Sequence, residues 1–186
     1  FQGSRGLGDV YKRQIQKQDQ SYDPRMTDLK WPLRNLRLHV AATHGPEVAD
    51  QLFLEIERLV VHSLKAVQQT IINDKNCYEM YGYDVMIDAD LKPWLIEVNA
   101  SPSMSSDNDT DRALKEGLLH DTFTAVDIEG RFGGAPPLRV GGYDLVHDET
   151  GSVKRDPLSC ISSNLGTRND RKAQLKTIFK KQPRPA

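Results

Sequence analysis

The sequence predicts an α+β fold in which helices pack against an antiparallel hairpin. Apolar residues recur at every third or fourth position after Gly45-Pro46-Glu47, which indicates an amphipathic helix. From Cys77 to Asn99 the pattern changes to aromatic and β-branched residues around a polar turn, which indicates two strands. Only 38% of the 186 residues are hydrophobic, and these concentrate between Trp31 and Val126, so the core is expected there.

A helix is predicted to begin at Gly45-Pro46-Glu47. Proline is tolerated at the first helical position, and an acidic residue there suits the positive end of the helix dipole. His62 lies within this helix, and a lone helical histidine is more often solvated or hydrogen-bonded than catalytic. The apolar stripe indicates that one face packs against another element, and it consists of Val48, Leu52, Ile56, Leu59, Val60, Leu64, Val67 and Ile71.

The hairpin consists of a strand from Tyr78 to Ile87 and a strand from Lys92 to Asn99, joined by the polar Asp88-Ala89-Asp90 turn. Pro93 cannot donate a hydrogen bond to a sheet, so it is expected at the start of the second strand or at a bulge. The apolar residues of the second strand predict that it is buried, and they are Trp94, Leu95, Ile96 and Val98.

Three side chains on this hairpin form the candidate site: Asp84, Glu97 and Asn99. Glu97 and Asn99 are two residues apart in a strand and therefore project from one face. A turn that pairs Ile87 with Lys92 places Asp84 on the same face, one diagonal step from Glu97. A register change of one residue would remove Asp84 from that face.

Two carboxylates and an amide are a ligand set that Mg²⁺ accepts. Two neighbouring carboxylates repel unless a cation lies between them, and Mg²⁺ takes few protein oxygens while it keeps positions for water and substrate phosphates. The alternative is that Glu97 is an edge-strand or salt-bridged residue and Asn99 a turn former. The pattern of residues alone leaves both interpretations open.

The rest of the chain has weaker signals. Ser101–Asp111 is a polar loop, followed by a short helix that carries Leu114, Leu118 and Leu119. Tyr143–Val146 is a candidate short strand within a Gly- and Pro-rich linker, and Arg168–Lys176 a basic helical turn. For this basic tail, solvated disorder is favoured over docking on an acidic surface.

Three regions are therefore predicted. Residues 1–27 are a disordered segment or an artefact of translated adapter sequence, residues 28–128 form the packed segment, and residues 129–186 form a mostly irregular tail. The 25 basic and 26 acidic residues argue against a nucleic-acid partner, and no apolar run approaches the roughly 20 residues of a membrane span. Cys77 and Cys160 fit no metal, redox or disulfide spacing. A cytoplasmic protein is expected.

Four motifs occur in an order and spacing that resemble the C-terminal signature of the tubulin tyrosine ligase-like family. They are Asn73-Asp74-Lys75, Tyr81–Asp84, Leu91–Asn99 and Ala100–Ser103. The resemblance implies an ATP-grasp fold, of which this chain is an incomplete C-terminal part, with ATP and Mg²⁺ as cofactors. It also implies that Asp84, Glu97 and Asn99 are the metal- and cofactor-binding positions, with no catalytic side chain beyond these metal ligands.

The Ala100-Ser101-Pro102-Ser103 run resembles the polyglutamylase branch of that family. The resemblance implies an ATP-dependent ligase that activates a carboxylate on a tubulin tail as an acyl phosphate and joins it to the amine of free glutamate. The implied partners are tubulin and microtubules, and the implied location is the cytoplasm and cytoskeleton. The Val140–Leu145 and Asn169–Leu175 runs resemble a member assigned to cilia, which adds the axoneme or basal body.

Two other functions are compatible with the same sequence. One is a non-catalytic module, derived from such a ligase, that binds tubulin or another partner. The other is a different Mg²⁺-dependent nucleotide enzyme, such as another ATP-grasp carboxylate–amine ligase. Because the segments that would supply nucleotide-binding lysines are absent from the 186 residues, the chain is expected to be inactive alone.

Overall fold

The computed structural model describes residues 31–71, 77–106, 108–133, 137–148, 151–152, 165–167 and 170–180. These residues form two units. The first contains the described residues up to Ser103 together with Leu165 and Gly166, and the second contains those from Met104 onward together with Thr167 and 170–180. The predicted segment 1–27 lies outside the described residues.

The first unit is built on two helices, α1 (Leu33–His44) and α2 (Pro46–Val67), which are separated by Gly45 with φ 98°. The predicted helix start at Gly45-Pro46 is confirmed. The core between the helices consists of Val40, Ala49, Leu52 and Phe53.

The predicted apolar stripe of α2 is correct only in part. Leu52 is buried, but Val48 and Val67 are 40% and 45% exposed, and Phe53 is the most buried side chain at 0%. The reason is that α1 packs against a face of α2 that also includes Ala49 and Phe53, which a spacing count alone does not reveal. Ile71 lies beyond the end of the helix.

Arg37 fixes a distant segment to this core. Its side chain donates to the Leu165 carbonyl at 2.8 Å, pairs with Asp50, and lies 5.0 Å from the centre of the Phe53 ring. Burial lowers the pKa of Arg37, and the Asp50 carboxylate opposes that shift. The guanidinium is therefore occupied by structural contacts.

The hairpin consists of β1 (Gly82–Ile87) and β2 (Pro93–Asn99), which pair in the antiparallel sense. Pro93 begins the second strand, as predicted. The predicted pairing of Ile87 with Lys92 is wrong, because Ile87 lies opposite Pro93. The connection is one residue longer than assumed: the Asp88 amide donates to the Lys92 carbonyl at 3.1 Å, and Leu91 between them has φ 61°.

The prediction that β2 is buried is also wrong. Trp94, Leu95, Ile96 and Val98 are 38–58% exposed. Within the described residues the sheet contains only these two strands, and α2 is the helix that packs against β2. One helix cannot cover both faces of a hairpin, so apolar side chains of β2 stay in contact with solvent.

The second unit contains helix α3 (Asp109–Val126), two short hairpins and helix α4 (Arg171–Lys180). The first hairpin pairs β3 (Arg139–Val140) with β4 (Tyr143–Asp144), and the second pairs β5 (His147–Asp148) with β6 (Gly151–Ser152). Asn108 caps α3 by accepting from the Asp111 amide at 2.8 Å. The predicted short helix is thus 18 residues long, and its Leu114 is 71% exposed.

A buried carboxylate connects three parts of the second unit. Asp121 of α3 is 3% exposed and accepts from the Gly142 amide at 2.9 Å and from Nε of Arg171 at 2.8 Å. Val140 and Leu175 are also buried, which places apolar contacts outside the predicted Trp31–Val126 core. Within the described ranges, no helix has the length and apolar content to cross a membrane.

Candidate functional site

A β-bulge in β2 brings the predicted site residues together. Val85 pairs with Leu95, whereas the next pair toward the open end is Asp84 with Glu97, so Ile96 is the extra residue. Gly82 then lies opposite Asn99. The observed turn shifts the strand pairing by one residue from the predicted pairing, and the bulge reverses the effect of that shift. Without the bulge, Asp84 would face Ile96 and point away from Glu97.

The three residues lie on the face of the hairpin directed away from α2. The opposite face of β1 carries Tyr83 and Ile87. The Tyr83 hydroxyl hydrogen-bonds the Ser63 hydroxyl of α2 at 2.9 Å, and Ile87 packs against the core. Asp84, Glu97 and Asn99 therefore occupy the side that α2 does not cover.

Strand pairing and one hydrogen bond bring the side-chain oxygens of Asp84, Glu97 and Asn99 close together. Asp84 and Glu97 are directly opposite, a position that separates Cβ atoms by about 4.5–5.5 Å. Nδ2 of Asn99 donates to Oε1 of Glu97 at 3.1 Å, which leaves the Asn99 amide oxygen for a cation. Oδ1 of Asp84 is shielded from solvent, whereas Glu97 is exposed.

The chemistry of this donor set fits a hard divalent cation. Two carboxylates supply negative charge and the amide supplies a neutral oxygen, a combination suited to Mg²⁺. In the part of the chain that the structure describes, no group of three or more His, Cys, Asp or Glu side chains could hold a metal ion. An ion at this position would therefore depend on Asn99 and on ligands from outside these residues.

The turn end of the same face carries an apolar patch that the sequence analysis missed. Met86 lies opposite Trp94, and the two side chains are 55% and 45% exposed. The indole of Trp94 donates to Asp88 at 2.8 Å, and the Lys92 ammonium lies 4.1 Å from the ring centre. The sequence assigned Asp88 only to a turn, because side-chain contacts across a hairpin depend on its register.

Hydrogen bonds stabilise the charged form of Asp88. The Trp94 indole and then the Lys92 backbone amide lower the pKa of this carboxyl, which is partly exposed to solvent. Oδ1 of Asp88 accepts from the Asp90 and Lys92 amides and Oδ2 from the Trp94 indole, so the carboxylate connects the turn to the indole.

His62 lies elsewhere. It is exposed on α2, as expected for a solvated helical histidine. It lines an open cleft of about 520 Å³ with residues of the other hairpin face, including Pro93 and Leu95. None of the three predicted ligands lines this cleft.

Comparison with known proteins identifies the family. The tubulin-tyrosine ligase family matches residues 10–131, which is more than half of the chain. The chain belongs to this family, and the resemblance inferred from its motifs is confirmed.

Among its relatives are proteins named as tubulin polyglutamylases, which are ligases. The probable tubulin polyglutamylase TTLL9 of Rattus norvegicus is 42% identical over 175 residues, which cover 89% of this chain and 37% of the relative. The Bos taurus protein of the same name is 43% identical over the same shares. The probable alpha-tubulin polyglutamylase Ttll1 of Tetrahymena thermophila is 38% identical over 67% of this chain and 32% of the relative.

The chain thus spans little more than a third of the length of the relatives it matches. No solved structure matches it. The mixed helices and antiparallel strands agree with the predicted α+β class. Its assignment to an ATP-grasp fold remains a prediction that is compatible with the family.

Proposed function

We propose that this chain is part of an ATP- and Mg²⁺-dependent ligase that adds glutamate to glutamate side chains of tubulin tails. Asp84, Glu97 and Asn99 would hold the Mg²⁺ that accompanies ATP. The observation that carries the proposal is the bulge at Ile96, which sets Asp84 directly opposite Glu97. The tubulin polyglutamylase names of the relatives support the choice of reaction.

The carboxylates and the amide of the site have different roles in this proposal. The Asp84 and Glu97 carboxylates supply the charge that attracts the cation, and the Asn99 amide nitrogen holds one oxygen of Glu97 in place. An Mg²⁺ ion held there would offset the negative charge of the ATP phosphate oxygens and help position the phosphoryl group that passes from ATP to a substrate carboxylate, with ADP as the leaving group. No nucleophilic side chain is required, because the amine of glutamate forms the new bond.

The same proposal implies that the 186-residue chain holds only part of the active site. An ATP-grasp enzyme holds nucleotide between two lobes, and a misplacement of reacting groups by about 1 Å can reduce the rate by about a hundredfold. We therefore expect the 186-residue chain alone to show neither tight ATP binding nor glutamate incorporation.

The test is a chimera in which this chain replaces the matching third of the Rattus norvegicus relative. Incorporation of labelled glutamate into microtubules is measured with ATP and Mg²⁺, for the chimera and for the isolated chain. We expect incorporation by the chimera only. Glu97→Gln should abolish it, because the change nearly preserves shape but removes charge, whereas Glu79→Gln on the exposed segment before β1 should not.

The two-carboxylate arrangement can be tested with a matched pair of variants in the chimera. Asp84→Asn should abolish incorporation, because it removes one of the two carboxylates that would hold the cation, while Ile96→Ala keeps the bulge and both carboxylates and should retain activity. Full activity in Asp84→Asn would refute the assigned site. Tubulin binding without incorporation by the unaltered chimera would favour a non-catalytic binding module.

The remaining proposals concern the partners of the protein and its location in the cell. Tubulin, microtubules and free glutamate are the proposed partners, and the cytoplasm, cytoskeleton and ciliary axoneme or basal body are the proposed locations. Imaging of the fluorescently tagged chimera in ciliated cells tests the location. A signal confined to a compartment without microtubules would contradict it.

A further inference from the structure

Helix α4 presents a row of lysines to solvent. Lys172, Lys176 and Lys180 follow one another at four-residue intervals, which places them on one side of the helix. All three are exposed, and the helix contains no acidic residue. Within the described residues, none of the three lysine side chains forms an ion pair or a hydrogen bond. We call these residues the lysine row.

The lysine row is held in a fixed direction by contacts on the other side of α4. Arg171 pairs with the buried Asp121 at 2.8 Å, and Leu175 is 9% exposed. Asp170 accepts from the Ala173 amide at 3.1 Å and so caps the helix. Residues 171–180 thus form a helix, which agrees in part with the basic helical turn predicted at Arg168–Lys176 and contradicts the solvated disorder favoured for the basic tail.

An open cleft of about 400 Å³ contains Phe179 of α4 in a mixed lining that includes the carboxylates of Asp127 and Glu129. Phe179, next to Lys180 in sequence, lines it together with Phe123 and Ile128, and the three side chains are 42%, 53% and 77% exposed. The Arg131 guanidinium lies 4.9 Å from the centre of the Phe179 ring. Because Arg131 is paired with Glu129, the positive charge available to a ligand comes from the lysine row, and Phe179 beside Lys180 adds an apolar contact.

We propose that the lysine row is a docking surface for an acidic, glutamate-rich peptide. The proposal rests on the proposed function, because addition of glutamate to tubulin tails makes such peptides. The spacing fits: four residues of helix rise by about 6 Å, and alternate residues of an extended peptide are about 6.7 Å apart. Alternate glutamates of an extended peptide can thus pair with successive lysines.

Other anionic partners fit less well. The whole chain has a net charge of −1 and a pI of about 6.6, whereas a nucleic-acid-binding domain is usually strongly basic. Membrane docking of a helix typically requires a continuous apolar face of Trp, Phe or Leu, but the inner face of α4 is occupied by Arg171 and Leu175. An acidic peptide requires only the exposed row.

The experiment is fluorescence anisotropy of a labelled ten-glutamate peptide with the purified 186-residue chain, without ATP or Mg²⁺. The variant replaces Lys172, Lys176 and Lys180 with Gln, which has similar helix propensity. A control with the same charge change replaces Arg34, Lys65 and Arg112 with Gln. Circular dichroism verifies that all three proteins keep their helices.

We expect the lysine-row variant to bind the peptide about tenfold more weakly, because each exposed ion pair contributes at most a few-fold. The control variant should stay within about twofold, and binding should weaken with salt. Equal loss in both variants would overturn the proposal, as would equal binding of a ten-glutamine peptide. Tighter binding of a ten-nucleotide RNA or of anionic lipid vesicles would also overturn it.

Failure of the peptide-docking proposal is distinguishable from failure of the proposed ligase activity. The anisotropy assay requires neither nucleotide nor metal, whereas Glu97→Gln in the chimera tests the metal site alone. Peptide binding that persists with an inactive chimera would support the lysine row and refute the ligase. Incorporation by the chimera without peptide binding by the chain would refute the lysine row only.

Discussion

Substitution of Gly141 by alanine should be the most damaging small change in the second unit. Gly141 has φ +57°, and a Cβ added there would lie 2.2 Å from Cγ of Asp121. That carboxylate is buried and is held by Arg171 and by the Gly142 amide, so it has no room to withdraw. The new methyl group must therefore displace the carboxylate from its partners.

The magnitude has two parts. A left-handed conformation costs an alanine about 1–2 kcal/mol. Separation of a buried ion pair costs about 3–5 kcal/mol, and the lower figure applies because the Arg171 side chain is 36% exposed. The sum is about 4 kcal/mol, which is a large part of the roughly 5–15 kcal/mol that stabilises a typical domain.

Gly130 provides the matched control. Its φ is +65°, and an added Cβ would have no heavy atom within 4 Å, so Gly130→Ala should cost only about 1 kcal/mol. The difference of about 3 kcal/mol predicts that amide protons of α4 exchange about a hundredfold faster in Gly141→Ala than in Gly130→Ala. Hydrogen exchange measured by NMR tests this. Equal exchange rates would show that Asp121 does not hold α4.

Three further predictions concern the first unit. Phe53→Ala should reduce the free energy of unfolding by about 3–5 kcal/mol in urea, because Phe53 is 0% exposed, whereas Leu38→Ala at a 54% exposed site should have little effect. Tyr83→Phe should cost about 1 kcal/mol in the same assay, since it removes the hydroxyl bond to α2. Because the pKa of Asp88 is lower in the folded protein, its carboxylate stabilises the fold at pH values above its unfolded-state pKa of about 3.9. This stabilisation is lost as the pH falls through the lower pKa of the folded state. The indole N–H signal of Trp94 should therefore shift in acid and should not titrate in Asp88→Asn; an identical titration in both proteins would contradict the assignment.

The sequence predicted elements whose signals are local. The helix start at Gly45-Pro46, the antiparallel hairpin and the position of Pro93 all follow from the conformational limits of neighbouring residues. Each of these features has its signal in a short stretch of the sequence.

Long-range packing could not be predicted in the same way. The exposure of β2 depends on how many layers cover the hairpin, and the burial of Phe53 depends on the direction from which α1 approaches. Asp121 gave no sequence signal, because its partners Gly142 and Arg171 are 21 and 50 residues away. The residue pattern of a single sequence does not show which of its distant residues meet.

The candidate site combines both kinds of information. The residue types Asp84, Glu97 and Asn99, their oxygen chemistry and their motif spacing are properties of the sequence. Tertiary structure decided how they meet: the turn register differs by one residue from the predicted one, and the bulge at Ile96 restores Asp84 to the face of Glu97. Side chains alternate between the two faces of a strand, so the shift at the turn and the shift at the bulge each move a side chain to the other face. Whether Asp84 and Glu97 share a face therefore depends on both shifts together, and these are set by the backbone pairing of the two strands.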